Sequence, residues 1–473
     1  MILNHTELYQ KLHRNFGLEP TDGQATVLRH LSAFLLSEKE NPTYILKGYA
    51  GTGKTTLVRA LVKTLPMIGM RFVLLAPTGR AAKVLSGYTD KPASTIHRRI
   101  YQTMSFPDGS IRMVRSENKY KNALFIVDEA SMIGEQKEFG GKSLLDDLME
   151  YVFSGEKCRL LLIGDTAQLP PVESSGSPAL DCDYLKAEFP VTAANYELTE
   201  VKRQALASGI LYNATHIREL LKHDNRSHPM QIFNLSGFAD MQKIDPETFE
   251  ELLHNTFSGN SDNEAVIICK SNKRANIYNN AIRSRILNIE GEIATGDKLM
   301  IVKNNYHWAA GNEEISFIAN GDMAEVRKIK RFEEMYGFHF VDVELGFIDY
   351  PEANSIEAKV LLDTLNSNSP SLTEDENHRL FQAIEEDHMD IPNRRERYRE
   401  MKKNPWLNAL QVKFAYALTC HKTQGGQWET VFIDSSFNQK EVLETEDLRW
   451  IYTALTRAKE RVYFVNFKEE FFG

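Results

Sequence analysis

The sequence predicts an α/β fold built on parallel sheets covered by helices. Three observations carry that reading. Short apolar runs (Thr43-Tyr44-Ile45-Leu46, Phe72–Ala76, Leu124–Val127, Leu160–Ile163) alternate with helix-like stretches. Continuous apolar strands, unlike alternating ones, are buried on both faces, as parallel strands are. The polar residues that break the pattern stand at the carboxyl ends of these runs, where ligands bind in such sheets.

The elements follow in order. Thr21-Asp22-Gly23 opens a helix-like stretch with Val27, Leu28, Leu31 and Leu35 on one face. Thr43–Leu46 then leads into Gly48-Tyr49-Ala50-Gly51-Thr52-Gly53-Lys54-Thr55-Thr56, which fits G-x-x-x-x-G-K-[ST] with a strand behind it and a helix-like run, Thr55 to Leu65, ahead. Glycines there let backbone N–H groups curl around a triphosphate, and the helix N-terminus adds its positive dipole end. Lys54 is expected at the β- and γ-phosphates and the Thr55 hydroxyl on Mg²⁺. The chain is therefore expected to bind and hydrolyse a nucleoside triphosphate.

Asp128-Glu129 ends the Leu124–Val127 strand. Asp128 is placed to hold Mg²⁺, directly or through water, and Glu129 to orient or deprotonate the attacking water. Gly164-Asp165-Thr166-Ala167-Gln168 ends the next strand; Asp165 is a rival magnesium ligand, and Gln168 can donate to the γ-phosphate or to the water while accepting from a neighbour. Arg203 follows the first α/β unit, and Arg457 lies on a helix of the second. A guanidinium at the γ-phosphate stabilises charge on the transferring group, and two arginines on opposite sides of a cleft would couple hydrolysis to closure.

Between Ile100 and Tyr120 the α/β rhythm stops, and Phe106-Pro107-Asp108-Gly109 suits a type I turn, so a small hairpin with Phe106 near its tip is expected. A second α/β set begins near Ala265–Ile268 and resumes with Val412–Leu418, Thr430–Ile433 and Arg461–Val465. Between them Met323–Lys330 and Phe338–Leu345 read as antiparallel strands, Asn366–Pro370 as a linker, and the polar stretch to Lys403 as helical. Residues 305–405 are thus expected to be an insertion.

The bulk numbers agree. A chain of 473 residues exceeds one ordinary core, and 42% hydrophobic with 26% charged residues is globular composition. No apolar run approaches the ~20 residues that span a bilayer, and no export signal is evident. The four cysteines form no C-x-x-C pair, which fits a reduced cytoplasm. A net charge of −9 excludes a surface coated with phosphate-binding groups but not a local basic groove.

Taken in order, these segments resemble the motifs of superfamily 1 helicases, in the B branch with the RecD, Dda and Pif-type enzymes. Gln24 resembles the Q motif that reads adenine, and residues 48–56 match motif I. Ala76–Ala82 match motif Ia, Ser94–His97 motif Ib, Val127–Met132 motif II and 163–172 motif III. The segment around Arg203 resembles motif IV, Thr419–Gly426 match motif V, and 452–459 match motif VI.

The resemblance implies two RecA-like lobes with ATP and Mg²⁺ between them: 1A over 1–99 and 121–204, and 2A over 205–304 and 406–473. Residues 100–120 would be the pin, domain 1B, and 305–405 an SH3-like barrel, domain 2B, near which Ile318–Asp322 resembles an Asn-Gly-Asp element. Gln168, Arg203 and Arg457 would meet the γ-phosphate. The nucleotide would touch Gln24, Gly48, Ala50, Gly51, Thr52, Gly53, Lys54, Thr55, Thr56 and Gly425. Pro77, Thr78, Thr95, His97, His421 and Lys422 would hold single-stranded DNA by its phosphates, and Phe106 would wedge the duplex. The implied activity is that of an ATP-dependent 5′–3′ DNA helicase, working as a monomer on single strands and tailed duplexes, with no membrane partner. A nucleotide-gated clamp that does not unwind, or an RNA-directed enzyme, are the alternatives. The chain departs from the pattern at Gly426-Gln427, where many relatives carry Ser-Glu, and no function attaches to 366–405.

Overall fold

The computed structural model describes residues 4–105, 111–137, 141–171, 174, 176–201, 208–222, 227–258, 265–309, 315, 318–348, 350, 353–435 and 440–473. The expected turn with Phe106, and Arg203, lie outside them.

The first half opens with α1 (His5–Phe16), capped reciprocally by Asn4 and Glu7, and α2 (Asp22–Leu35), capped by Thr21 and Gln24. Then come β1 (Pro42–Gly48), α3 (Lys54–Thr64), β2 (Arg71–Ala76), α4 (Gly79–Thr89), β3 (Ala93–Thr95) and α5 (Ile96–Ile100). After β4 (Tyr101–Ser105) and β5 (Ile111–Arg115) follow β6 (Ala123–Val127), α6 (Leu144–Phe153), β7 (Arg159–Gly164), α7 (Cys182–Glu188) and β8 (Thr192–Leu198). Six strands form one parallel sheet in the order β3-β2-β6-β7-β1-β8. Successive β1 side chains serve opposite faces: Tyr44 and Leu46 pack with α1, α2 and α3, while Ile45 joins Phe125, Leu160 and α6. Apolar demand on both faces explains the unbroken hydrophobic strands. Strands β4 and β5 pair antiparallel as a separate ribbon.

The second half contains α8 (Gly209–Lys222), β9 (Met241–Lys243), α9 (Pro246–Phe257), β10 (Ala265–Cys269) and α10 (Asn272–Ala281). The chain then leaves for a closed barrel of β11 (Lys298–Ile301), β12 (Met323–Met335), β13 (Phe338–Phe347), β14 (Ile356–Leu361) and β15 (Leu410–Phe414). Helices α11 (Glu374–Glu386) and α12 (Arg394–Met401) stand between β14 and β15, with Leu380, Ile384 and Met401 packed on barrel residues Phe338, Phe340 and Leu361. The chain returns through β16 (Ala417–Thr419), α13 (Cys420–Thr423), β17 (Trp428–Asp434), α14 (Thr445–Leu455) and β18 (Ala458–Val465). The second parallel sheet runs β16-β10-β17-β18-β9. These are two parallel-sheet α/β lobes, with a closed barrel inserted in the second.

The barrel reaches beyond the expected 305–405 at both ends, taking Lys298–Ile301 and Leu410–Phe414. The single strand expected over Val412–Leu418 is split between barrel and sheet. Asn279 spans the break: its amide donates to the carbonyls of Phe414 (3.2 Å) and Ala417 (3.0 Å), and its oxygen accepts the Ala417 N–H (2.7 Å). Phe414 still pairs in the barrel and Ala417 in the sheet, the chain bends between them at Ala415 and Tyr416, and one apolar run serves both. Among the described residues no helix is long and apolar enough to cross a membrane.

Candidate functional site

At the end of β1 the chain turns through Gly51 (φ +78°) and Gly53 (φ +87°), in the left-handed region where glycine is favoured. The Thr52 hydroxyl donates to Tyr49 O at 2.8 Å and stabilises the turn from inside. A Cβ on Gly48 would stand 2.9 Å from that hydroxyl, so the loop admits no side chain there. Helix α3 starts at Lys54 without a side-chain cap, which leaves its first N–H groups turned toward the cleft. The Lys54 ammonium donates to the loop carbonyls of Gly48 (2.5 Å) and Tyr49 (3.0 Å). Thr55 and its hydroxyl are exposed.

Gln24 lies beneath this loop rather than open to a base. Its amide nitrogen donates to Thr52 O (2.9 Å) and its oxygen accepts the Thr21 N–H (3.0 Å); the residue is 3% exposed. The contact that Gln24 makes here braces the P-loop.

Strand β6 is buried throughout and delivers Asp128 and Glu129 to the same cleft. Asp128 Oδ1 accepts the Glu129 N–H (2.9 Å) and Oδ2 accepts the Tyr88 hydroxyl (2.5 Å). Glu129 sits in the left-handed region (φ +53°). Burial pushes its carboxyl above the ordinary range; Arg457 and Lys54 pull it back, and Asp128 and Asp165 add to the rise. Asp165, the rival metal ligand, lines the same cleft but is 2% exposed; its oxygens accept the Ala167 N–H (2.9 Å) and the Tyr452 hydroxyl (2.6 Å). Gln168 is buried, and its Oε1 has no hydrogen-bond partner among the described residues.

The second lobe closes the other wall. Arg457 is 3% exposed, with Nε on Thr453 O (3.0 Å), Nη1 on Gly426 O (3.3 Å) and Nη2 on Thr456 Oγ1 (3.2 Å). Thr453 Oγ1 accepts the Leu169 N–H (2.8 Å), and the Gln424 amide donates to Leu169 O (2.7 Å). The segment bearing Gln168 is thus clamped by the opposite lobe. Lys54, Asp128, Glu129, Gln168 and Arg457 all line one cleft of about 1070 Å³.

Among the described residues no group of three or more His, Cys, Asp or Glu side chains forms a ready-made metal cage. One carboxylate (Asp128) and one hydroxyl (Thr55) fit Mg²⁺ bound together with substrate phosphates and water, because that ion keeps much of its hydration.

Gly425 is placed differently from the expected nucleotide contact. At φ +72°, its Cα faces the first lobe, and a Cβ there would stand 2.8 Å from Ala81 Cβ and 3.1 Å from Thr78 Oγ1. The residues of the expected strand path are partly spent on local structure. Thr78 caps α4 by accepting the Ala81 N–H (3.2 Å), and Thr95 caps α5 by accepting the Arg98 N–H (3.1 Å). Pro77 is half-buried, and the His97 ring lies 5.7 Å from that of Tyr101. Burial lowers the His421 pKa against the opposing pull of Glu446. Burial also brings Lys422 down to about 8, and its Nζ has no hydrogen-bond partner among the described residues. The barrel rests on the start of α4: a Cβ on Gly79 would collide with the Asp322 carboxylate, and Lys83 Nζ donates to Ile348 O (3.0 Å).

Sequence reasoning missed Tyr88, Tyr452 and Thr453. Tyr452 and Thr453 lie in the same short segment as Arg457, which was a usable signal; nothing local marks Tyr88.

Known proteins share these segments. Residues 20–230 match the AAA domain family, and residues 414–465 match the UvrD-like helicase C-terminal domain. The ATP-dependent RecD2 DNA helicase of Deinococcus radiodurans is 34% identical over 195 residues, covering 41% of this chain and 23% of that protein. The ATP-dependent DNA helicase dda of Enterobacteria phage T4 is 32% identical over 189 residues, 39% of each chain. The Pif1 helicase of Candida albicans, a solved structure, aligns over 95% of both chains at 15% identity with a TM-score of 0.46. The matched segments span 23% and 39% of the two curated relatives' lengths.

Proposed function

We propose that this chain, which is similar to the RecD/Dda/Pif-like group of superfamily 1B helicases, is an ATP-dependent DNA helicase that moves 5′ to 3′ along a single strand and opens tailed duplexes. The observation that carries the reading is the meeting of Lys54 and Arg457, from opposite lobes, in one cleft with Glu129.

The uncapped N–H groups of α3 receive the phosphates, and Lys54 exchanges its loop carbonyls for the β- and γ-phosphates. Thr55 and Asp128 hold Mg²⁺, which when bound neutralises phosphate charge. Glu129, made more basic by burial, takes a proton from the attacking water. The open Oε1 of Gln168 accepts a hydrogen bond from the same water, since phosphate oxygens have no proton to give it. Arg457 stabilises charge on the transferring group, and Arg203 does so from the resemblance alone. Each nucleotide state favours a different distance between the lobes, so hydrolysis cycles their closure.

Single-stranded DNA lies across Thr78, Thr95 and His97 of one lobe and His421 and Lys422 of the other, with Pro77 beside them. Their hydroxyls, imidazoles and ammonium suit phosphate contacts that carry no sequence information. Residues 100–120 act as the pin, with Phe106 at the wedge, and the barrel as domain 2B. One two-lobed motor per chain makes a working monomer sufficient. The free cysteines Cys158, Cys182, Cys269 and Cys420 suit a reducing cytoplasm.

Unwinding of 5′- and 3′-tailed DNA and RNA duplexes, with and without ATP, tests this. ATP-dependent separation from a 5′ DNA tail is expected. Unwinding from the 3′ tail alone contradicts the polarity, and strand-stimulated turnover without separation points to a clamp.

A further inference from the structure

Tyr88 stands at the far end of α4 (Gly79–Thr89) from the expected strand contact. Its hydroxyl donates to Asp128 Oδ2 at 2.5 Å, and its side chain lines the nucleotide cleft. A phenol keeps its proton near neutral pH, so Tyr88 is the donor in this contact. The other Asp128 oxygen accepts the Glu129 N–H at 2.9 Å. Both carboxylate oxygens are therefore held in direction, and each retains lone-pair capacity.

The opposite end of α4 begins at Thr78, whose hydroxyl lies against Gly425 of the second lobe. Arg80, the second residue of the helix, donates to Gln427 O (2.8 Å) and stacks over Trp428 at 4.1 Å. An eleven-residue helix is about 16 Å long and moves as a unit. One element thus touches the second lobe with its first turn and the Asp128 carboxylate with its last.

We propose that Tyr88 is a positioning residue that sets the direction of the Asp128 carboxylate toward its divalent cation, and that α4 carries strand occupancy at Thr78 to that site. The proposal rests on the reading above, in which Asp128 holds the cation and Thr78 meets the strand. Displacing the first turn of α4 shifts Tyr88 relative to Asp128, which changes how firmly the carboxylate is aimed. The coupling therefore needs no contact between strand and nucleotide.

The test uses the full chain and Tyr88→Phe, which keeps the ring and loses the donor. Mn²⁺ binding to the protein–ADP complex is titrated by electron paramagnetic resonance, with and without a thymidine oligonucleotide. Metal-free ADP binding is followed with a fluorescent analogue. Loss of an outer hydrogen bond to a metal ligand is expected to weaken Mn²⁺ about tenfold, with metal-free ADP binding unchanged. The effect of the oligonucleotide on Mn²⁺ affinity is expected in the wild-type chain and absent in the variant. Unaltered Mn²⁺ affinity, or an equal loss of metal-free ADP binding, overturns the positioning role; a strand effect that persists in the variant, or is absent from the wild-type chain, overturns the role of α4. ADP binding that is absent from the wild-type chain, or unaffected by Lys54→Ala, instead overturns the nucleotide site itself.

Discussion

Tyr452 in the second lobe donates a 2.6 Å hydrogen bond to Asp165 in the first, and the same hydroxyl accepts the Ala50 N–H at 3.0 Å. One buried oxygen therefore ties the shoulder of the P-loop to the end of β7 and both to α14. Tyr452→Phe removes that oxygen and strands a buried carboxylate oxygen and a backbone N–H, a loss of about 1–3 kcal/mol. Thermal unfolding is expected at lower temperature, together with a raised KM for ATP. A variant matching wild type in both would mean that the link has no bearing on nucleotide binding.

Gln24 supports the loop from below through Thr52 O. Gln24→Ala is expected to weaken ATP and GTP to the same degree, about tenfold, because a lost brace of about 1 kcal/mol or more acts on the phosphates common to both. Comparing the two nucleotides by inhibition of turnover checks this. Selective loss of ATP would instead restore the adenine-reading role.

Glu129 has a raised pKa, so its folded form keeps a proton at pH values where an ordinary carboxyl has lost it. Only the ionised form accepts the proton of water. Turnover should therefore fall on acidification at a pH above the ordinary carboxylate range, and recover as pH rises. The charge that forms above that pKa is disfavoured by burial, so this group lowers stability as pH rises through it. Glu129→Gln should cost about 10²-fold or more in kcat and remove this acid limb. An unchanged pH profile in that variant would exclude Glu129 as the base.

Lys422 is pulled down to about 8 by burial, and its ammonium has no hydrogen-bond partner among the described residues. Its unfolded form stays charged to higher pH, so stability rises between about pH 8 and the ordinary lysine value. Below pH 8 the buried charge costs stability, and Lys422→Met should raise the unfolding temperature by about 2–4 °C while weakening strand binding. Wild-type strand affinity should decline as pH passes about 8, where the ammonium is lost. Anisotropy titrations across that range measure it; flat affinity would place Lys422 off the strand path.

Much of the fold was legible because its signals are local. Buried parallel strands need apolar residues on both faces, which made β1, β2, β6 and β7 readable as unbroken runs. The barrel's limits were not, since nothing in the largely apolar run from Val412 to Leu418 marks where it bends, and Asn279, which bonds both sides of the bend, is distant in sequence. Helix α1, capped by Asn4 and Glu7, escaped notice although its reciprocal cap is a local signal.

The site divides along the same line. Gly51, Gly53, Lys54, Asp128 and Glu129 announce themselves because a phosphate loop and a carboxylate after a strand are contiguous chemistry. Long-range placements are different: the Gln24 amide turned to the loop, the Gly425 backbone against Thr78, and the Tyr88 hydroxyl on Asp128, and no spacing encodes those choices.

By itself the sequence determined which groups can bind phosphate and a cation, because the backbone conformation that presents them depends on neighbouring residues. Only the tertiary structure decided which distant groups meet there. Tyr452 and Asp165 are 287 positions apart, and their bond exists because α14 of the second lobe meets the end of β7 in the first. A hydrogen bond requires alignment within a few tenths of an ångström, and across that separation only packing supplies it.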